Sequence, residues 1–464
     1  MQLVFDISMI AGWDRATVGI VRVERELARR ARDFCSAEVV FSHFDRRHGR
    51  FLALPNKIAN EVIEGHLTIT GGEPAPAGQH VAALRRLVRL LRDPRGSTAS
   101  VLDRLNIRAP GIASAKSLTP DRVASYLNAL LGSESSLRSA GKESPWQHRE
   151  NRRISLQRAG AMPLPLSAEH TVISCAIDIL FKPLSAIYAL KRRGKFKYVG
   201  FCHDLIPLRF PQFVPADFLP KSQGYFSDLF WTTDLLFTSS LYVERDIAQF
   251  CIANGIPQIA MARLRPGADL PERATKPAID IEPGGFILYV SSLERRKNHR
   301  FAYEVWRRIR QTSLAQKPVK MVLAGETTGQ MPEAIDLMTR DPVTAGSVTV
   351  LGNVPDGQLR WLYDNARFCI HPSIAEGYGI PIGEALAAGK VCVCSTAEAI
   401  VEQFGEYAPC IPVEKSDEWV SLLSALLLDD SLLKSLERKV IDRYRAPSWD
   451  DCARQVFGTV QQMA

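Results

Sequence analysis

Two periodicities alternate along most of this chain. Short apolar runs at 285–290, 319–324, 347–351, 368–371 and 390–395 read as buried strands, and between them apolar residues recur at helical spacing over 301–310, 356–365, 382–388 and 419–428. Strands that alternate with helices imply a parallel sheet with helices on both faces, the doubly wound α/β arrangement. The N-terminal half repeats the pattern less cleanly, with strands expected at 3–7, 171–177, 198–203 and 235–238 and a helix at 23–31. Arg265-Pro266-Gly267-Ala268-Asp269, followed by Pro271, Pro277 and Pro283, has the composition of a linker between domains. Ser448-Trp449-Asp450 opens a last helical segment that runs to Met463. The expected division is therefore 1–270, then 284–446, then a terminal segment 447–464. No repeat at solenoid spacing is present.

An insert at about 70–165 breaks the N-terminal alternation with proline, serine, glycine and many arginines. Inside it, Leu84, Leu87, Val88 and Leu91 share one helical face, and Arg85, Arg86, Arg89 and Arg92 lie around them. Such a helix can rest on an anionic membrane surface, or pack on the domain with its arginines solvated. At 464 residues the chain is too long for one ordinary core, so two domains of roughly 200 residues each are the default. Its hydrophobic fraction of 46% is that of a soluble globular protein. No apolar run approaches the roughly 20 residues that span a bilayer, and the N-terminus opens as a strand without a signal segment. A cytoplasmic protein is expected, with peripheral contact at the inner face of the cell membrane if the basic helix binds there. Nine scattered cysteines, several in apolar runs such as Val391-Cys392-Val393-Cys394, read as buried reduced thiols. The net charge of +8 favours an anionic partner without identifying one, and no interleaving of basic and aromatic residues points to nucleic acid.

The chemistry concentrates in Glu376-Gly377-Tyr378-Gly379-Ile380-Pro381-Ile382-Gly383-Glu384. Two carboxylates in an apolar, glycine-rich segment are costly to enclose unless each has a partner, and a polyhydroxylated ligand is one such partner. Glu384 is expected in the first turn of a helix and Glu376 in the loop before it. Gly377, Gly379 and Gly383 permit close backbone approach and positive φ, and the N–H groups at a helix start favour an anion. Acids placed favourably at a helix N-terminus are the plainer explanation. The pair of glutamates separated by seven residues, preceded by His371-Pro372-Ser373, resembles the signature of the family-four retaining glycosyltransferases. These are nucleotide-sugar enzymes with the GT-B fold, in which two Rossmann-like doubly wound domains face a central cleft and a C-terminal helix crosses back to the N-terminal domain. The resemblance is dense over 198–464, weaker over 1–50 and absent over the insert.

Other segments carry parts of the same likeness. His203, in Phe201-Cys202-His203-Asp204-Leu205-Ile206-Pro207-Leu208, closes an apolar strand at the end where ligands bind in open α/β sheets. The resemblance implies that His203 contacts the transferred sugar and that Asp204 orients loop or acceptor; a histidine bonded to a neighbouring loop is the alternative. Ser291-Ser292-Leu293-Glu294-Arg295-Arg296-Lys297-Asn298 follows the first strand of the C-terminal half, and fixed cations there can stabilise a departing diphosphate. The resemblance assigns Lys297 and Arg296 to the diphosphate. Many members carry an arginine near Ser292, and its absence leaves Arg263 or Arg265 as substitutes. Gly325 and Gly352, with Val354 beside the latter, end strands where relatives place backbone around the nucleoside; glycines that serve only the turns are the alternative. Gly19, after the first strand, faces the cleft by the same analogy.

The resemblance as a whole implies a metal-independent retaining enzyme that moves a hexose, mannose from GDP-mannose, to a growing bacterial surface glycan or its lipid-linked precursor. Lys297, Arg296, Glu376 and His203 are its implied catalytic group. Glu384 would hold the ribose, with Gly377, Tyr378, Gly379, Gly325, Gly352, Val354 and Ser292 completing the donor site. No cofactor or metal is implied, and the partners are the nucleotide-sugar donor and the glycan or lipid-linked acceptor. A nucleotide-sugar epimerase or phosphorylase on the same fold, and a non-catalytic scaffold subunit of a polysaccharide assembly complex, are the rival readings.

Overall fold

A computed structural model of the chain describes residues 2–13, 19–46, 48–70, 152–177, 182–216, 218–271, 273–326 and 332–463. The amphipathic pattern over 84–92 lies outside the described residues.

The N-terminal sheet is built from β1 (Gln2–Asp6), β2 (Val39–Asp45), β3 (Arg50–Ala53), β6 (Met162–Pro163), β7 (His170–Ser174), β8 (Lys197–Cys202), β9 (Leu235–Thr238) and β10 (Ala260–Arg263). Their order is β10-β9-β8-β7-β1-β2-β3-β6. The run from β10 to β2 is parallel, whereas β3 and β6 add an antiparallel edge. β4 (Leu67–Thr70) and β5 (Arg152–Ser155) pair separately and in parallel. Leu3, Val4 and Phe5 are fully buried, as a parallel strand covered on both faces requires. The parallel register sets Asp6 beside Ser174 and Cys202 beside Thr238, so the loops that follow β1, β7, β8 and β9 leave from one edge.

A second sheet contains β11 (Phe286–Val290), β12 (Lys320–Ala324), β13 (Val348–Val350), β14 (Phe368–His371) and β15 (Cys392–Cys394), in the order β13-β12-β11-β14-β15 and parallel throughout. Its two faces are covered by separate apolar clusters, one around Phe286, Tyr363 and Ile382, the other around Trp306, Trp419 and Leu426. These five strands fall within the expected runs. The helix expected at 382–388 instead spans Ile380–Ala387. Pro381, whose missing N–H is harmless in a first turn, starts the helix early, and Gly379 at φ 103° forms its N-cap. Glu384 is consequently the fifth helical residue, beyond the first turn, and the expectation of a first-turn acid is corrected.

The N-terminal half holds strands that the pattern did not isolate, β2 to β6 and β10. A one-turn helix, Ser8–Gly12, follows β1 directly. Among the described residues no helix is long and apolar enough to cross a membrane. The nine cysteines form no disulfide there, and all but Cys410 are buried.

The last helix, Trp449–Gln461, sends Trp449, Cys452, Ala453, Val456, Phe457 and Val460 into the core of the N-terminal sheet, where Phe457 lies 6.2 Å from Phe5. A reciprocal cap between Ser448 and Asp451 starts it, and Asp269 accepts a 2.7 Å hydrogen bond from Trp449 N. The linker passes so close that a Cβ on Gly267 would stand 2.5 Å from Trp449 N and 2.6 Å from its ring. Gly267→Ala is therefore expected to lower stability by about 1–3 kcal/mol, the usual cost of overpacking a rigid contact. Urea unfolding checks this, and an unchanged midpoint refutes the close packing.

Candidate functional site

Glu376 lies in the loop between β14 and the helix Ile380–Ala387, with 6% of its surface exposed. Its Oε1 accepts a 2.6 Å hydrogen bond from Lys297 Nζ and lies 2.8 Å from His371 Nε2, while Oε2 accepts from Arg296 Nη1 at 3.1 Å. A carboxylate can only accept, so Nε2 of His371 carries its proton. Burial pushes the Glu376 carboxyl up, but Lys297 and Arg296 outweigh it and hold the carboxyl well below the usual range. The cations come from the turn Arg295–Lys297 after β11, which the left-handed Asn298 at φ 61° closes. Ile374 N donates to Arg296 O at 2.8 Å, which ties that turn to the glutamate's own loop.

Arg296 also donates from Nε to Glu294 Oε2 at 2.9 Å and from Nη1 to Ala375 O at 3.1 Å. Two acids thus face two bases, and both cations assigned to a diphosphate are already paired with carboxylates. Donor capacity is left over. A guanidinium has five N–H groups and an ammonium three. Among the described residues Arg296 Nη2 makes no hydrogen bond and Lys297 Nζ makes one, so an anion can be added without breaking the contacts to Glu376. Ser292 donates to Glu294 at 2.8 Å and thereby steadies the same loop.

The glycine turns meet at the ends of neighbouring strands. Gly325 N donates to Gly352 O at 2.7 Å, and Gly325, at φ 154°, leaves no room for a side chain because a Cβ would sit 1.9 Å from Ser291 O. Val354 packs at the margin of the apolar cluster beneath. On the adjacent helices Glu384, 4% exposed, accepts a 2.9 Å hydrogen bond from the Tyr363 hydroxyl.

Across the cleft, His203 follows β8, and its Nε2 lies 3.0 Å from Cys175 O, so this nitrogen is the protonated one. Burial holds the imidazole below its ordinary value, hence neutral near pH 7. Beside it a cavity of about 90 Å³ is lined by Ile177, Asp204, Pro207, Phe218 and Tyr225 among others. Asp204 accepts from Ile206 N at 3.0 Å and so shapes its own turn. Gly19 begins the helix Gly19–Phe34 at φ 25°. The two halves touch at Gly377, whose carbonyl lies 3.0 Å from both Ser239 Oγ and Ser240 Oγ. A Cβ on Gly377 would stand 2.1 Å from His203 O. The Glu402 carboxylate reinforces this junction by accepting from Leu241 N at 2.7 Å and Tyr242 N at 2.9 Å.

The structure thus brings Glu376, Arg296 and Lys297 into direct contact and sets the His203 backbone against the same loop. Arg263 pairs with Glu244, and Arg265 faces the Tyr378 hydroxyl; neither makes a hydrogen bond or ion pair with Glu376. Sequence reasoning passed over Glu294, His371, Ser239, Ser240, Tyr363 and Arg22. Glu294 and His371 stood inside quoted motifs, but nothing in the spacing announced the others.

Replacing Glu376 with Ala strips the buried Lys297 ammonium of its carboxylate and leaves Arg296 with Glu294 as its paired acid, and a loss of about 3–5 kcal/mol is expected. The native carboxyl is held low, so its stabilisation is present above the ordinary carboxylate range and disappears as pH falls through the depressed folded value. Denaturation followed from neutral to strongly acidic pH should show wild type losing this increment in acid while Glu376→Ala has little to lose; parallel curves contradict the pairing. Gly377→Ala should separate the two halves, seen as a larger radius of gyration by small-angle scattering. An unchanged radius counts against the close approach.

Comparison with known proteins bears on the fold and on the C-terminal half. Residues 273–443 match the family model of glycosyl transferases group 1. The O-antigen chain mannosyltransferase B of Escherichia coli is 27% identical over 173 residues, which take in 37% of this chain and 45% of that protein. Among solved structures, Anabaena HepE in complex with UDP and glucose aligns over 100% of both chains with a TM-score of 0.59 at 12% identity. HepE in complex with UDP-glucose gives 0.60 at 13% identity, again over 100% of both chains. The chain spans about half the length of the mannosyltransferase that it matches. With two parallel α/β halves around a cleft and a last helix crossing back, the chain has the GT-B glycosyltransferase fold, and its residues 273–443 carry the glycosyl transferases group 1 match.

Proposed function

We propose that this chain is a retaining hexosyltransferase that moves mannose from GDP-mannose to a growing bacterial surface glycan or its lipid-linked precursor. The observation that carries the reading is the buried, permanently ionised Glu376, clamped by two cations that keep spare N–H groups beside it. Such a carboxylate accepts hydrogen bonds from sugar hydroxyls, and the spare N–H groups of Arg296 and Lys297 meet the diphosphate as charge builds on the leaving oxygen. The likeness of 27% to a mannosyltransferase supports mannose, and HepE, held with UDP-glucose, supports the donor class. In this reading Glu384 takes the ribose hydroxyls and neutral His203 lies on the sugar's side of the cleft. The departing phosphate takes the acceptor's proton on the face that it leaves, so configuration is retained without a protein nucleophile. Cationic side chains do the work of a metal at the leaving group. The acceptor meets the enzyme at the inner face of the cell membrane, to which the basic insert lends affinity.

Purified chain should release or transfer mannose from GDP-mannose in preference to UDP- and dTDP-sugars, with retention by product NMR and without loss in excess EDTA. Glu376→Gln should lower kcat about ten- to hundredfold, the loss of one charge-assisted contact. Wild-type turnover in that variant, or activity abolished by EDTA and restored by manganese, would remove these assignments. A chain that neither binds nor turns over any nucleotide sugar would stand as a scaffold.

A further inference from the structure

Arg22 lies in the first turns of the helix Gly19–Phe34, in the N-terminal half, yet its partners belong to the other half. Its side chain is 7% exposed; Nη2 donates to Asp356 Oδ1 at 2.6 Å, and Nε stands 3.9 Å from Glu384 Oε1. Asp356 and Tyr363 lie one above the other on the helix Asp356–Asn365, seven residues apart, and Glu384 faces them from the helix Ile380–Ala387. Oε2 of Glu384 is occupied by the Tyr363 hydroxyl at 2.9 Å, whereas Oε1 accepts no hydrogen bond among the described residues and has the Arg22 guanidinium as its nearest cation. Asp356 therefore anchors the arginine and Glu384 receives its field.

We propose that Arg22 is a positioning residue of the donor site, contributed by the opposite half: pinned by Asp356, it keeps the buried Glu384 ionised and aimed so that Oε1 can accept from a ribose hydroxyl. This rests on the reading of Glu384 as the ribose ligand. Burying a carboxylate favours its neutral form, and here the Arg22 guanidinium opposes that first, with the Tyr363 hydroxyl bond adding to it. The charged and titratable groups that face Glu384 are Arg22, Tyr363 and Asp356. Burial pushes the Glu384 carboxyl up, Arg22 pulls it partly back, and Asp356 adds to the push. With Arg22 gone the carboxyl rises further, and the charged form is lost as pH falls through that raised value.

Titration of GDP and UDP against wild type, Arg22→Gln and Arg22→Lys by calorimetry, at a series of pH values from neutral downward, tests this. Arg22→Gln should raise Kd about ten- to hundredfold, with the deficit growing as pH falls, and Arg22→Lys should recover part of it. A purely structural arginine would lower the melting temperature and weaken binding equally at every pH, which would overturn the proposal, as would unchanged binding in Arg22→Gln. A second readout needs no nucleotide: infrared difference spectra should show a protonated-carboxyl band in Arg22→Gln that grows on acidification and is missing from Arg22→Gln/Glu384→Gln. If wild type binds neither nucleotide, the donor reading fails while the infrared band still decides whether Arg22 governs Glu384. Absence of the band refutes that control.

Discussion

A buried carboxylate with two cations on its oxygens is the constraint around which this molecule is arranged. Glu376 cannot be enclosed alone, because desolvating an ion costs several kcal/mol unless opposite charge and hydrogen bonds replace the lost water. Lys297, Arg296 and the Nε2–H of His371 supply the replacement, and they come from the ends of two adjacent parallel strands. The register of β11 on β14, with Ile287 opposite Phe368 and Leu288 opposite Cys369, sets the distance between the two loops. A shift of that register would pull the cations off the carboxylate. The apolar clusters on both faces of the sheet oppose such a slip, since it would turn the buried side chains of β11 and β14 out of their clusters. Packing and charge therefore fix the same geometry from opposite sides of the backbone.

The same loop forms the meeting point of the two halves. Gly377 follows Glu376 directly, and only a residue without a Cβ lets its backbone lie against the His203 carbonyl. Ser239 and Ser240, at the end of β9, reach its carbonyl, and Glu402 caps the helix that starts at Leu241. A movement of one half relative to the other is thus felt at the peptide next to the charged cluster. Arg22 makes a second such bridge from a different element. Both bridges join residues of opposite halves, so the site is complete only while the halves stay together.

Much of this was legible in the sequence, and the reasons for the rest are physical. Strands β11 to β15 are short runs buried on both faces, so hydrophobicity alone marks them. Strands β2 and β3, toward one side of their sheet, have partly exposed positions, and the edge strand β6 is two residues long, too short for any period. The helix that carries Glu384 starts two residues earlier than its apolar pattern suggests, because such a pattern does not register that Pro381 favours a first turn. The motif Glu376 to Glu384 and the run Arg296-Lys297 could be found because residues of a local motif stay close in sequence. Arg22 and Asp356 are separated by 334 positions, and Ser239 and Gly377 by 138. No spacing rule reports a contact of that kind; it exists only once two sheets have closed on each other.

Glu376 and Glu384 are the same residue type on one segment, and their surroundings drive them apart. At Glu376 two cations prevail over burial and hold the carboxyl down; at Glu384 burial prevails, with one arginine at 3.9 Å as the opposing charge. Two carboxylates whose environments separate their acidities are suited to different tasks. Glu376 stays ionised across the physiological range, so it cannot donate a proton. Both its oxygens also lean on cations, which disperses the charge that an attacking nucleophile would need, whereas its remaining lone pairs can still accept hydrogen bonds from a fixed position. Glu384, held by one hydroxyl and one more distant charge, is the carboxylate whose state a neighbouring residue can change. A segment of nine residues thereby offers one constant charge and one adjustable charge, and the difference is made entirely by which side chains the fold brings to each.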